Sequence, residues 1–179
     1  LYRYVAGSLS RLFAAPTNVA LDHPFVVFNI RDMDAELKPI ALYLIAEFVA
    51  TRMRALERQR RILVIDEAWT LMQYPEGGRF LSDLARRARK YYMGLVTITQ
   101  DVADFLNDPH GRTILAQASI TLLMKQDATT APVVRDAFHL SEGEVHRLLA
   151  CHPGEGLLFA RNTHVGVTIV ASPREHELV

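Results

Sequence analysis

The stretch Arg61-Ile62-Leu63-Val64-Ile65-Asp66-Glu67-Ala68-Trp69 constrains the fold more than any other part of the chain. Four consecutive aliphatic residues, three of them β-branched, lie between a basic cluster and an acidic pair. This pattern predicts a strand buried on both faces. Such strands belong to parallel sheets covered by helices, and open α/β sheets bind ligands beyond the carboxyl ends of their strands. Asp66 and Glu67 fall at that end. In a nucleoside triphosphatase the position belongs to the Walker B pair: the first carboxylate, here Asp66, serves Mg²⁺, and the second, Glu67, orients and polarises the attacking water. The same residues also suit an acidic turn after a core strand, or a helix N-cap with Asp66 accepting backbone N–H groups.

The rest of the chain supplies a matching frame. Residues 1–14 suggest one or two short helices, broken at Pro16-Thr17-Asn18. Phe25 to Ile30 forms a second candidate for a buried strand. Apolar residues from Leu37 to Phe48 recur at helical spacing, with Pro39 in the first turn, and the helix is expected to run to about Arg58. Tyr74 to Gly78 reads as a loop. A helix follows, with Leu81, Leu84, Ala85, Ala88 and Tyr92 on one face and Arg86, Arg89 and Lys90 on the other. A third strand covers Gly94 to Thr99 and ends at Gln100-Asp101, and a fourth covers Ile120 to Met124. Helices are expected from Thr130 to about Phe138 and from Ser141 to Ala150, the second opening on a Ser141/Glu144 capping box. Gly156 to Ala160 and Val165 to Val170 read as a hairpin. Strands alternating with helices in this way predict an α/β fold, a mostly parallel sheet flanked by helices with a C-terminal β-hairpin.

Composition narrows the function classes. Half of the 179 residues are apolar, enough for a sizeable core in what length alone suggests is one domain. Twenty basic and twenty acidic residues cancel, so charge gives no indication of a nucleic acid or membrane partner, although a nucleic acid is compatible with a local basic patch. The arginines from Arg52 to Arg61 suit the negative end of a helix dipole. Cys151 stands alone, which excludes an internal disulfide and fits a reducing compartment. No apolar run approaches the roughly 20 residues of a membrane span. The histidines are scattered without metal-ligand spacing. A phosphate-binding loop requires Gly-x-x-x-x-Gly-Lys-Ser/Thr; the lysines are Lys38, Lys90 and Lys125, and none follows a glycine. If Asp66-Glu67 is a Walker B pair, the expectation is a partial ATPase domain over 1–179 whose Walker A segment lies upstream of Leu1, a residue that is not methionine.

In a parallel sheet, neighbouring strands deliver their carboxyl ends to one crevice, which would bring Gln100 near Asp66 and Glu67. An amide there donates to a γ-phosphate oxygen and accepts from the lytic water. It is equally a glutamine satisfied at a strand end. The runs LVIDEAW, LARRARK, GLVTITQD and GEGLLFARN together resemble the type IV secretion and conjugal-transfer ATPases, RecA-like P-loop proteins of the HerA–FtsK class, of the VirB and TraC kind. The likeness runs from about Phe25 to the C-terminus. It implies ATP and Mg²⁺ as cofactors, with Glu67 and Gln100 catalytic and Asp66 at the metal. It also implies a homo-oligomer, expected to be a hexamer, at the cytoplasmic face of a bacterial inner membrane. There it would work with inner-membrane components of a secretion or conjugation machine to drive pilus biogenesis and substrate transfer. The resemblance further implies roles for Arg89, as a residue supplied in trans to a neighbour's phosphoryl group, and for Lys90 beside it. Arg161 is a second nucleotide-binding candidate. The bland alternative for these cations is a solvated face, with Asp83 pairing Arg87. Trp69 is expected to pack under the next loop. Two other functions use the same residues: a DNA-translocating motor of the same class, and a non-catalytic assembly module that keeps the fold.

Overall fold

The computed structural model describes residues 6–7, 10, 23–54, 59–160 and 163–177. The chain divides into two compact units, Leu1–Asp34 and Ala35–Val179. In the first unit, Phe25 to Ile30 forms no strand, contrary to the expectation from its apolar run. Phe25 and Val27 are largely exposed, and no described neighbour offers a ladder of hydrogen bonds, without which an apolar run stays irregular. The helices expected over residues 1–14 and the Pro16 break lie outside the described residues, save for positions 6, 7 and 10.

The second unit runs α1 (Lys38–Arg54), β1 (Arg61–Ile65), α2 (Ala68–Met72), α3 (Pro75–Arg87), a 3-10 turn (Ala88–Tyr91) and β2 (Met93–Thr97). It continues with α4 (Val102–Asn107), α5 (Pro109–Gln117), β3 (Ile120–Leu123), α6 (Ala131–Phe138), α7 (Glu142–Ala150), β4 (Glu155–Ala160), β5 (Thr163–Thr168) and α8 (Pro173–His176). Helices and strands alternate, as expected of an α/β fold, and β1 pairs β2 in parallel from Arg61↔Met93 to Ile65↔Thr97. The strands β3, β4 and β5 form a separate antiparallel sheet in that order. The terminal hairpin expected from the sequence is therefore present, and β4 takes the edge of β3 as its second partner.

Strand β1 is covered on one face only, which corrects the expectation of burial on both. Leu63 and Leu95 pack with Val49 of α1, Leu84 of α3 and Met93. The other face carries Ile62 at 75% exposure and Val64 at 57%, beside Val96. Among the described residues, α1 and α3 lie on the same side of the pair, so alternate side chains meet helix and solvent.

The segment expected to be a loop at Tyr74–Gly78 is instead the start of α3. Pro75 stands at the first helical position, where its missing N–H is no loss. Gly77 is there for space: a Cβ would lie 2.2 Å from the Leu71 carbonyl oxygen, so α2 and α3 meet at backbone distance. At its far end the helix stops at Arg87, and Tyr92 takes a left-handed conformation (φ 56°) and is half exposed. Tyr92 thus leaves the buried stripe that the helical spacing gave it, while Leu81, Leu84 and Ala88 keep theirs.

Leu81 also belongs to the core that supports the end of β1. Together with Ala68, Phe105 and Ile114 it forms a buried cluster under the Asp66–Glu67 turn. Below the antiparallel sheet a separate cluster joins Leu123, Val134, Leu140, Leu148 and Leu157. Helix α7 starts on the expected capping box, with Ser141 and Glu144 bonded reciprocally.

Candidate functional site

The end of β1 turns sharply because two backbone bonds bracket the acidic pair. Ile98 N–H donates to the Ile65 carbonyl at 2.9 Å, and Ala68 N–H donates to the Ile98 carbonyl at 2.9 Å. Asp66 and Glu67 are held between them. Glu67 takes up the extra length in a left-handed conformation, φ 48° and ψ 49°, which for a residue with a Cβ is disfavoured by about 1–2 kcal/mol. Its carbonyl then accepts from Thr70 N–H at 2.9 Å and from the Thr70 hydroxyl at 2.8 Å, starting α2.

This conformation aims the Glu67 carboxylate at two donors. Gln100 Nε2 donates to Oε1 at 2.5 Å, and the Trp69 indole Nε1 donates to Oε2 at 2.9 Å. Gln100 lies two residues beyond Ile98, so the strand pairing that brackets the acidic turn also delivers the amide. The bond to Gln100 uses one of its amide hydrogens and leaves the second hydrogen and the carbonyl free for another group. Asp66 is exposed, and its Oδ1 accepts from Glu67 N–H at 3.0 Å. The helix cap is Glu67, not Asp66, and its side chain makes no capping bond; the carboxylates are spent elsewhere.

Around these residues lies an open cleft of about 380 Å³, lined by Glu67, Trp69, Gln100, Asp101, Asp127 and Thr130. Asp101 caps α4 through Asp104 N–H at 2.9 Å. Asp127 closes the opposite wall. The Thr129 hydroxyl foremost, then the backbone N–H groups of Thr130 and Thr129, hold its carboxyl below the usual carboxylate range. The lining contains carboxylates and no cation, so these residues alone repel a polyphosphate. Oxygen donors of this kind suit Mg²⁺, which is commonly bound by one or two carboxylates together with substrate phosphates. Among the described residues no three His, Cys, Asp or Glu side chains gather as a metal site. Asp66, exposed beside Glu67 but outside the cleft lining, offers one such carboxylate.

The structure thus brings Asp66, Glu67 and Gln100 to one end of the parallel pair, as the sequence reading anticipated. Arg89 and Lys90 are not brought there. Both are exposed in the 3-10 turn that enters β2, next to Met93, which pairs with Arg61 at the amino end of the strands. Four steps of about 3.3 Å along five strand residues put about 13 Å between the two ends. Lys90 Nζ lies over the Tyr91 ring, 5.9 Å from its centre. Arg161 lies outside the described residues. Trp69, expected to pack under the next loop, donates to Glu67, and the sequence carries no site expectation for Asp127 or Thr130. For Trp69 a signal existed: a half-buried indole N–H seeks an acceptor, and Glu67 is two residues away.

The comparisons with known proteins agree with this geometry. No curated protein sequence matches the chain. Among solved structures, VirB4 of Thermoanaerobacter pseudethanolicus matches with a TM-score of 0.84 at 32% identity, over 98% of this chain and 49% of that one. The chain therefore spans about half the length of that relative. The likeness to type IV secretion and conjugal-transfer ATPases, and the RecA-like P-loop fold it implied, both stand. The model of the TraG P-loop domain matches residues 2–153, and with a parallel strand pair that ends in Asp66-Glu67 and Gln100 the chain belongs to that family.

Proposed function

We propose that this chain is the Walker B part of an ATPase that powers type IV secretion or conjugative transfer, with Glu67 as its general base. The observation that carries the reading is the bond from Gln100 Nε2 to Glu67 Oε1, which joins the ends of two parallel strands at the catalytic position of a P-loop fold. Glu67 takes the proton of the attacking water, and its anchored carboxylate fixes where that water stands. Gln100 turns its second amide hydrogen toward a phosphate oxygen and its carbonyl toward the water. Asp66 would hold Mg²⁺, which supplies neutralisation of charge on the phosphate oxygens.

The phosphate-binding loop comes, in this proposal, from the full-length protein outside these 179 residues, since no Gly-x-x-x-x-Gly-Lys-Ser/Thr occurs within them. Arg89, with Lys90 beside it, serves the nucleotide of a neighbouring copy, and Arg161 contributes to nucleotide binding. No helix among the described residues is long and apolar enough to cross a membrane. In this proposal the protein works at the cytoplasmic face of the inner membrane as a homo-oligomer, held by membrane components of the transfer machine.

The test is Glu67→Gln in the full-length protein. The amide keeps the shape and loses the base, so nucleotide binding should persist while turnover falls by about 10²–10⁴-fold. Turnover near that of the wild type refutes the assignment of Glu67.

A further inference from the structure

Trp69 is the only tryptophan of the chain, and its indole N–H is committed to Glu67 Oε2. The other carboxylate oxygen is held by Gln100, from a different element. The two donors differ in kind. Trp69 sits in the first turn of α2, two residues from Glu67, and that turn is fixed by the buried Ala68 and by both Thr70 bonds to the Glu67 carbonyl. Gln100 is exposed at the open end of β2, where its amide is within reach of anything that enters the cleft.

We infer that Trp69 is a positioning residue for the Glu67 carboxylate: its indole N–H keeps that carboxylate aimed into the cleft while Gln100 is free to engage a bound group. This rests on the assignment of Glu67 as the base. A carboxylate at the end of three rotatable bonds, held on its other oxygen only by the exposed amide of Gln100, would otherwise be free to swing away from the water it must deprotonate. A partner that cannot leave removes that freedom. The fixed donor also leaves the second lone pair of each oxygen available, so orientation is gained without blocking proton acceptance.

Two measurements test this, one of them independent of ATP hydrolysis. In the full-length protein the Trp69 indole N–H is assigned as the downfield proton resonance that disappears in Trp69→Phe. Replacing the acceptor in Glu67→Ala should move that resonance upfield and speed its exchange with solvent. An indole signal that is unchanged between the two proteins overturns the proposal. In the full-length protein, Trp69→Phe keeps an aromatic ring and removes the N–H. It should lower kcat by about 10–100-fold, the range for partners that orient a functional side chain, with KM for ATP within about twofold. The same substitution made on Glu67→Gln should cause no further loss, because residues acting through one group are not additive. An equal loss in both backgrounds shows a merely structural tryptophan and overturns the proposal. Full activity of Glu67→Gln by itself refutes the base assignment instead, and that control separates the two failures.

Discussion

The left-handed backbone of Glu67 leads to a stability measurement that needs no nucleotide. The perturbation is a pair of variants, Glu67→Gly and Glu67→Ala. Both lose the carboxylate and with it the bonds from Trp69 and Gln100, so those losses cancel between them. What remains is the Cβ at φ 48°. A left-handed residue with a Cβ is disfavoured by about 1–2 kcal/mol. Glycine returns about 0.5–1 kcal/mol of this through the greater freedom of its unfolded chain. The glycine variant should therefore be the more stable by about 0.5–1 kcal/mol. In urea, with a slope of about 2 kcal/mol/M, its midpoint should lie about 0.3–0.5 M above that of the alanine variant. An alanine variant as stable as the glycine one, at equal slope, would show that the turn relaxes to negative φ once the carboxylate is gone. In that case the side-chain bonds would be the cause of the strain. The predicted order instead means that the bracket at Ile65, Ala68 and Ile98 imposes it, and the carboxylate is placed by the backbone.

Other outcomes follow from the same packing. Leu81→Ala empties the core under the acidic turn and should destabilise the chain by about 2–5 kcal/mol in a denaturant melt; a loss below about 1 kcal/mol would mean that Leu81, 0% exposed, is not packed as described. The depressed carboxyl of Asp127 stabilises the fold above the unfolded carboxylate range and loses that contribution as pH falls through the depressed folded value. The destabilisation by Asp127→Asn should thus be full at about pH 6 and shrink below about pH 4, and a gap independent of pH would contradict it. Arg89→Ala and Glu67→Gln in the full-length protein, each inactive alone, should regain turnover when mixed in one oligomer; a flat rate against mixing ratio, with mixing verified, refutes the trans role.

The site was legible where chemistry and periodicity coincide. An aliphatic run ending in two carboxylates suits the carboxyl end of a parallel strand, and an amide at the end of the next strand follows from parallel pairing. The capping box was legible because Ser141 and Glu144 are a local signal whose geometry depends on no distant contact. What failed to show depended on tertiary space. Gly77 reads as a loop residue in isolation; its reason is the Leu71 carbonyl of another helix. Burial on both faces of β1 was inferred from unbroken apolarity, which states what a strand tolerates and leaves open what covers it. That the Trp69 indole needs an acceptor was legible, but that Glu67 supplies it depends on the left-handed turn: with an ordinary backbone there, a side chain two residues away on a helix would face elsewhere.

The positions of the charged groups limit how copies of this chain could cooperate. The carboxylates and Gln100 occupy the carboxyl end of the β1–β2 pair, and Arg89 and Lys90 stand near its amino end. The two surfaces are different patches of one molecule. If Arg89 acts on a neighbour, the basic end of one copy must meet the acidic end of the next. That contact is either heterologous, running head to tail, or isologous, with a two-fold axis that sets the basic turn of each copy against the acidic end of the other. A heterologous contact closes only as a ring of copies, or runs on as a filament. A trans role for Arg89 therefore carries a statement about assembly: activity rescued by mixing implies a head-to-tail ring or a reciprocal two-fold dimer, and the size of the active mixed species, two copies or more, decides between them.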